Sequence, residues 1–227
     1  MKIIDPSARL INPICLEDGI CALQFIEKMA RISHRSEEAQ TPDSWKPFLT
    51  AVVLQHGDWS VVEHAAATVI FRVDRGITHE LVRHRLFSFT QESTRFVKYG
   101  GKQVPELEFV KPEAIPDPQK FVSSHSWDAW SEAMRVADRE YYALLFEGVR
   151  PQEARSVLPN ALAATIAVSG NYRNWRHFLL MRTTKESHPD MKRVTIPLLK
   201  TFQERVPLLF DDIEPDARQI DNLKKPR

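Results

Sequence analysis

A chain of 227 residues, 43% of them hydrophobic, fits one large domain or two small ones and can bury a core without disulfide staples. Lys and Arg total 31 against 30 Asp and Glu, a net charge of +1, whereas a dedicated nucleic-acid binder usually shows a strong basic excess. The cysteines, Cys15 and Cys21, have no His or Cys partners at ligand spacing, so they make no zinc site, and such sparse usage suits a reducing cytoplasm. The opening Met1-Lys2-Ile3-Ile4-Asp5 is charged early and lacks a long apolar run, so no signal peptide is expected. No stretch approaches the length of a membrane span.

In chain order, Leu23, Ile26, Met29 and Ile32 recur at helical spacing and predict a helix over 15–36. A second helix is expected from Ser44 to about Gln55, after the Thr41-Pro42-Asp43 turn and before His56-Gly57. Residues 65–73 alternate as a strand, with Val69, Phe71 and Val73 on one face and Thr68, Ile70 and Arg72 on the other. Asp74-Arg75-Gly76 reads as a turn and 77–86 as a short helix. Prolines and glycines mark 97–118 as a loop region with a short strand near Leu107–Val110. A long helix follows from about Trp127 to Gly148, and Pro151 opens a short one ending near Pro159. Residues 161–168 are compatible with a buried strand or a helical turn, and periodicity does not decide. Asn171 caps a helix running to about Thr184. Pro189 begins another, in which Pro197 predicts a kink. The tail from Asp216 is charged. Helices dominate over a few strands, so the pattern predicts an α+β layered domain.

Basic residues cluster in two places. One group is Arg72, Arg75, His79, Arg83, His84, Arg85 and Arg95; the other runs from Arg173 to Arg193. In a balanced chain, local clusters of this kind suit a confined anionic ligand better than a long polyanion. The stretch His79-Glu80-Leu81-Val82-Arg83-His84-Arg85 is a near miss for a zinc-binding helix. Its second histidine comes five residues after the first, a rotation of about 500° that leaves the first face. On the expected 77–86 helix, Ile77, Leu81 and His84 share a stripe that turns His84 partly inward. Three adjacent cations repel unless an anion or acidic partner neutralises them. Guanidinium forks match phosphate, and Ser88, Thr90, Gln91, Ser93 and Thr94 supply donors before Arg95. The competing reading is a salt-bridged surface helix using Glu80 and Glu92.

On the helix after Asn171, Arg182 falls on the apolar stripe of Trp175, Phe178 and Leu179, which marks a structural ion pair or a ligand site. Arg173 lies in the first turn, where the helix dipole disfavours a cation unless an anion is near. The block His56-Gly57-Asp58-Trp59-Ser60-Val61-Val62-Glu63-His64 offers a turn, a Ser60 cap and a Glu63-His64 pair leading into the strand. A cap within a satisfied polar core is favoured there over a catalytic dyad. Glycine-rich phosphate loops and nucleophile elbows are missing from the sequence.

Together these residues resemble the flavin-dependent thymidylate synthases. Their hallmark of Arg-His-Arg, seven residues and Ser stands here as Arg83-His84-Arg85, LFSFTQE, Ser93. The flanks Asp74-Arg75-Gly76 and Gln91 to Phe96 match, as do the 56–64 block, Leu158-Pro159, Asn171-Tyr172-Arg173, Phe178 and Arg182, and the similarity spans about 25–212. His177 stands where many members have asparagine, and Glu80 where some have glutamine.

The resemblance implies a central, mostly antiparallel sheet flanked by helices, in one domain over 1–215 with a charged tail over 216–227. It implies a cytoplasmic homotetramer with shared active sites, and no membrane or nucleic-acid partner. The implied reaction is reductive methylation of dUMP to dTMP, with methylenetetrahydrofolate as carbon donor, NADPH as reductant and FAD as hydride carrier. A hydroxymethyl-transferring relative is the alternative, and a nucleic-acid-binding protein a more distant one. Carried over residue by residue, Ser60, Arg83, His84, Arg85, Gln91, Asn171, Arg173 and His177 contact FAD. Glu80, Arg83, Gln91, Glu92, Ser93, Thr94, Arg95 and Arg155 hold dUMP, with Arg95 and Arg155 at its phosphate. Arg182 polarises the uracil and is the expected catalytic residue. No metal is implied.

Overall fold

The computed structural model describes residues 1–11, 19–101, 106–116 and 125–218. Cys15, the first residues of the helix expected over 15–36, parts of the 97–118 loop region and most of the 216–227 tail lie outside them.

Strands β1 (Lys2–Ile4) and β2 (Ser7–Ile11) open the chain and are followed by α1 (Gly19–Ile32) and α2 (Trp45–Leu49). A wider turn, Thr50–Gln55, continues α2 until Gly57, whose φ of +83° suits glycine. Then come β3 (Ala66–Asp74), α3 (Arg75–Leu81), β4 (Ser88–Gln91), β5 (Glu108–Val110), α4 (His125–Phe146) and α5 (Pro151–Ala154). Strand β6 (Ala163–Asn171), α6 (Tyr172–Arg182) and α7 (Pro189–Arg205) complete the order. No helix of the described residues is long and apolar enough to cross a membrane.

The chain is α+β, with a four-stranded sheet in the order β2-β3-β6-β4. Partners on β3 and β6 run in opposite directions. Thr68 meets Ser169, Arg72 meets Thr165, and the N–H of Arg75 donates to Leu162, so the pair is antiparallel. The expected alternation of β3 holds, with Val69, Phe71 and Val73 wholly buried. Residues 161–168, undecided by periodicity, fall largely in strand β6. The exception to the antiparallel pattern is the β1–β5 pair, which is parallel, Lys2 lying opposite Glu108 and Ile4 opposite Val110.

The chain divides into two compact units. The first comprises Met1–Ser7, Phe71–Arg83 and Thr90–Ile166. Its core joins Tyr99, Leu107, Phe109, Met134, Tyr141, Ala154 and Leu162. The second comprises Ala8–Ile70, His84–Phe89 and Ala167–Arg227. Its core is aromatic: Trp175 lies 5.6 Å from both Phe178 and Phe202, and Phe202 lies 4.7 Å from Phe210. In this unit Arg176, only 3% exposed, forks onto both Asp212 oxygens at 2.6 Å and lies 4.5 Å from the Trp59 ring centre. A buried charge with a bidentate partner is far less costly than an unpaired one.

Local sequence rules explain the helix starts. Asn171 Oδ1 accepts from the Asn174 N–H at 2.8 Å, and Asp74 Oδ1 accepts from the Ile77 N–H at 2.9 Å. The Asp74 cap corrects one boundary: α3 begins at Arg75, inside the expected turn, and ends at Leu81 rather than 86. The chain then turns, and the alternating Ser88-Phe89-Thr90-Gln91 forms strand β4.

Candidate functional site

In the second unit a cavity of about 790 Å³ is lined by Trp59, Glu63, Asn171, Arg173, Asn174 and His177, with Leu86 and Leu180 among its apolar walls. That volume is in the range that encloses a cofactor-sized molecule. Asn171 and Arg173 are placed by the capped start of α6, and His177 follows one turn later. Trp59 sits in a tight turn, Trp59–His64, preceded by Asp58. Ser60 therefore lies inside the turn and does not cap a helix, which corrects the expectation for it, whereas Glu63 and His64 lead into β3 as expected. Ser60 is exposed. Glu63 pairs with Arg173 at 2.5 Å, which supplies the anion that a cation at a helix N-terminus needs. The Trp59 indole N–H is buried with no hydrogen-bond partner among the described residues. A cavity wall that carries two amides and a guanidinium among apolar side chains suits a ligand with both ring and polar groups.

His84 and Arg182 meet in the same unit. Arg182 Nε donates to His84 Nε2 at 2.9 Å, and the His84 ring stands edge-on to Phe178 at 4.9 Å. Burial first, then the charges of Arg182 and His177, push the His84 imidazole down to about 4. It is neutral at ordinary pH. The Arg83-His84-Arg85 run is thus two exposed guanidiniums around an uncharged ring, not three adjacent cations. His84 is also beyond the end of α3, so its half-buried position comes from Phe178 and Arg182 and not from the helix stripe expected for it. Arg182 thus makes a hydrogen bond to a neutral acceptor.

The first unit gathers the other residues singled out from the sequence. The Gln91 amide donates to Thr78 Oγ1 at 3.2 Å. Beyond β4 the chain makes one turn in which Ser93 O accepts from the Val97 N–H at 2.9 Å and Ser93 Oγ from the Arg95 N–H at 3.3 Å. Thr94 is buried, and its hydroxyl accepts from Arg155 Nη1 at 3.0 Å, so Arg155 and the 91–95 stretch come together across 61 positions of sequence. Arg95 is exposed and its guanidinium lies 5.3 Å from the Phe96 ring centre. Glu80 is half-buried in the last turn of α3, and Arg83 is exposed two residues past its end. Glu92 does not pair on a surface helix as the competing reading had it; it reaches Arg72 of β3 at 2.7 Å.

The expected flavin contacts are divided between the units, Arg83 and Gln91 belonging to the first and the rest to the second. Ser60, His84, Arg85, Asn171, Arg173, His177 and Arg182 belong to the second; Glu80, Arg83, Gln91, Glu92, Ser93, Thr94, Arg95 and Arg155 belong to the first. Sequence reasoning gave no ligand role to Trp59, Asn174, Leu86 or Leu180. An offset of three from the cap marks Asn174, but nothing local marks the others. Among the described residues no three of His, Cys, Asp or Glu are grouped to hold a metal ion.

The family model described as "Thymidylate synthase complementing protein" matches residues 20–208. The flavin-dependent thymidylate synthase of Corynebacterium glutamicum is 39% identical over 173 residues, covering 71% of this chain and 67% of that one. The enzyme of the same name from Mycolicibacterium gilvum is 34% identical over 213 residues, 87% of this chain and 81% of its own. Among solved structures, a UMP/dUMP methylase, PolB, from Streptomyces cacaoi bound with 5-Br dUMP matches with a TM-score of 0.72 at 24% identity, covering 93% of this chain and 96% of that one.

Proposed function

The chain belongs to the flavin-dependent thymidylate synthase family, and from that premise we propose that it methylates dUMP to dTMP, taking carbon from methylenetetrahydrofolate and hydride from NADPH, with FAD as hydride carrier. The observation that carries this reading is the cavity of the second unit, where Asn171, Arg173 and His177 come together on one wall. Its mixture of apolar side chains, amides and a guanidinium fits a flavin. Asn171, Arg173 and His177 hold the cofactor, with Ser60, Arg83, His84, Arg85 and Gln91 as its further contacts.

In the first unit Arg155 and Arg95 take the dUMP phosphate. Arginine forks bind phosphate bidentately, and the Ser93 and Thr94 hydroxyls add donors. Glu80, Arg83 and Gln91 complete the nucleotide contacts. Arg182 polarises the uracil: a fixed cation beside the ring lowers the energy of the anion left when the N3 proton departs. Neutral His84 keeps the Arg182 fork in one orientation, because an acceptor on Nε restricts rotation of the guanidinium plane.

The assembly is a homotetramer with shared active sites. Leu86, Phe96 and Phe146, 78%, 80% and 89% exposed in the single chain, support an assembled form that covers them. The deciding experiment incubates purified protein with FAD, records the flavin absorbance bands, and weighs the product formed from dUMP, methylenetetrahydrofolate and NADPH. A dTMP mass is expected. A hydroxymethylated mass would replace the reading by its closest alternative, and a protein without flavin bands would remove it.

A further inference from the structure

Behind the Gln91–Arg95 stretch lies a chain of alternating charges in the first unit. Lys2 Nζ donates to Glu108 Oε1 at 2.6 Å, and Glu108 Oε2 accepts from Arg72 Nη2 at 2.8 Å. Arg72 Nη1 donates to Glu92 Oε2 at 2.7 Å and to Thr165 Oγ1 at 3.0 Å. The Thr165 N–H donates to the same Glu92 oxygen at 3.1 Å, and the Tyr99 hydroxyl donates to Glu92 Oε1 at 2.8 Å. The backbone follows the side chain, since the Glu92 N–H donates to Thr165 O at 2.8 Å.

Three features set this network apart from a surface ion pair. The Arg72, Glu92 and Glu108 side chains are 23%, 16% and 21% exposed, so water screens them only partly. Burial acts to raise the Glu108 carboxyl, but the hydrogen bonds from Lys2 and Arg72 outweigh it and hold the group below the usual carboxylate range. Both Glu92 oxygens are engaged by donors of the protein, and a carboxylate has nothing to give a phosphate but repulsion.

Accepting the thymidylate synthase reading on which it rests, we infer that Arg72 and Glu92 are positioning residues: their ion pair sets the Gln91–Arg95 stretch for the nucleotide, and neither residue touches dUMP. Glu92 is the pivot. It fixes the end of β4 to β6 on one side and faces Tyr99, just past the Ser93–Val97 turn, on the other. The residues that carry donors to the nucleotide follow directly on this anchor.

The test uses the full chain with FAD bound and compares Arg72→Met, Glu92→Gln, Tyr99→Phe and the Arg72→Met/Glu92→Gln double variant. Calorimetry gives the dUMP Kd, steady-state kinetics the KM and kcat, and flavin absorbance the cofactor occupancy. Arg72→Met is expected to raise Kd and KM for dUMP about tenfold, with kcat at saturating dUMP within threefold and flavin occupancy unchanged. The double variant is expected to bind no more weakly than the worse single one, because both changes break one interaction. Additive losses, or an Arg72→Met protein with normal dUMP affinity beside a crippled Glu92→Gln, would show that Glu92 touches the nucleotide and overturn the inference. Should Arg72→Met fail to fold, Tyr99→Phe decides: it leaves every charge in place and is expected to raise the dUMP Kd threefold or more, and an unchanged Kd overturns the inference. A wild-type protein that binds FAD but no dUMP removes the nucleotide reading itself, and the inference with it.

Discussion

Arg182 Nε donates to His84 Nε2 across 2.9 Å, which requires that nitrogen of His84 to carry no proton. The two residues are 98 positions apart, and His84 is the centre of the Arg-His-Arg run. The bond gives the proposed catalytic arginine a fixed partner that does not cancel its charge, as a carboxylate would.

Arg182→Ala is expected to lower kcat about a hundredfold or more, the usual loss on removing one electrostatic donor at a reacting centre. The protein should keep its fold and its flavin. Circular dichroism, flavin absorbance and turnover on one sample check this. Unfolding with loss of flavin would instead assign Arg182 a structural role.

Stability should depend on pH through His84. Its pKa is about 4 in the folded chain against an ordinary value of 6.5, so between those values the unfolded chain binds more protons. The contribution is therefore complete above about pH 6.5, shrinks as pH falls, and is gone below about pH 4. Its full size is on the order of 3 kcal/mol. Urea unfolding midpoints from pH 7 to 4 should fall less steeply for His84→Gln than for the natural chain.

Arg173→Ala should weaken FAD binding about tenfold while moving the thermal midpoint little. Its pair with Glu63 is half exposed on both sides, and such pairs contribute little to stability. Fluorescence titration with FAD reads the first effect and thermal melting the second. A large drop in midpoint with normal FAD affinity would move Arg173 from ligand site to scaffold.

Gly170→Ala should destabilise the fold by roughly 1–3 kcal/mol, the range for overpacking a tight site. A Cβ there would stand 2.4 Å from Phe87 Cδ1. Phe87 also packs edge-on to Trp175 at 4.7 Å, so its ring has little room to withdraw. Phe87→Leu in the Gly170→Ala background should recover part of the loss in chemical denaturation.

What the sequence made legible was local. The alternation of β3, the Asn171 cap and the Pro189 start all depend on neighbours within a few positions, and all are present in the structure. The end of α3 was missed because the apolar period of Ile77 and Leu81 runs on through His84, whereas the chain turns at Val82. The β1–β5 pair was missed because Lys2 and Glu108 meet across 106 positions and each strand has three residues. In the candidate site, residues tied to a motif were found and those supplied by packing were not. Trp59 reads as an ordinary core aromatic, and Arg72 as one more cation in a cluster. The partners of both, Arg176 and Glu92, come from other elements of the fold.

The short strand β4 gives the spacing between Arg85 and Ser93 a mechanical meaning. The segment must turn once, place Phe87 against Gly170, send Gln91 to Thr78 and Glu92 to β6, and then release Ser93. In a pleated strand one added or missing residue sends every later side chain to the opposite face. Phe87 on one side of β4 and Glu92 on the other act as two fixed marks on a ruler. Between them letters can change, but the count cannot, and an insertion of one residue there should cost more function than any single replacement within it.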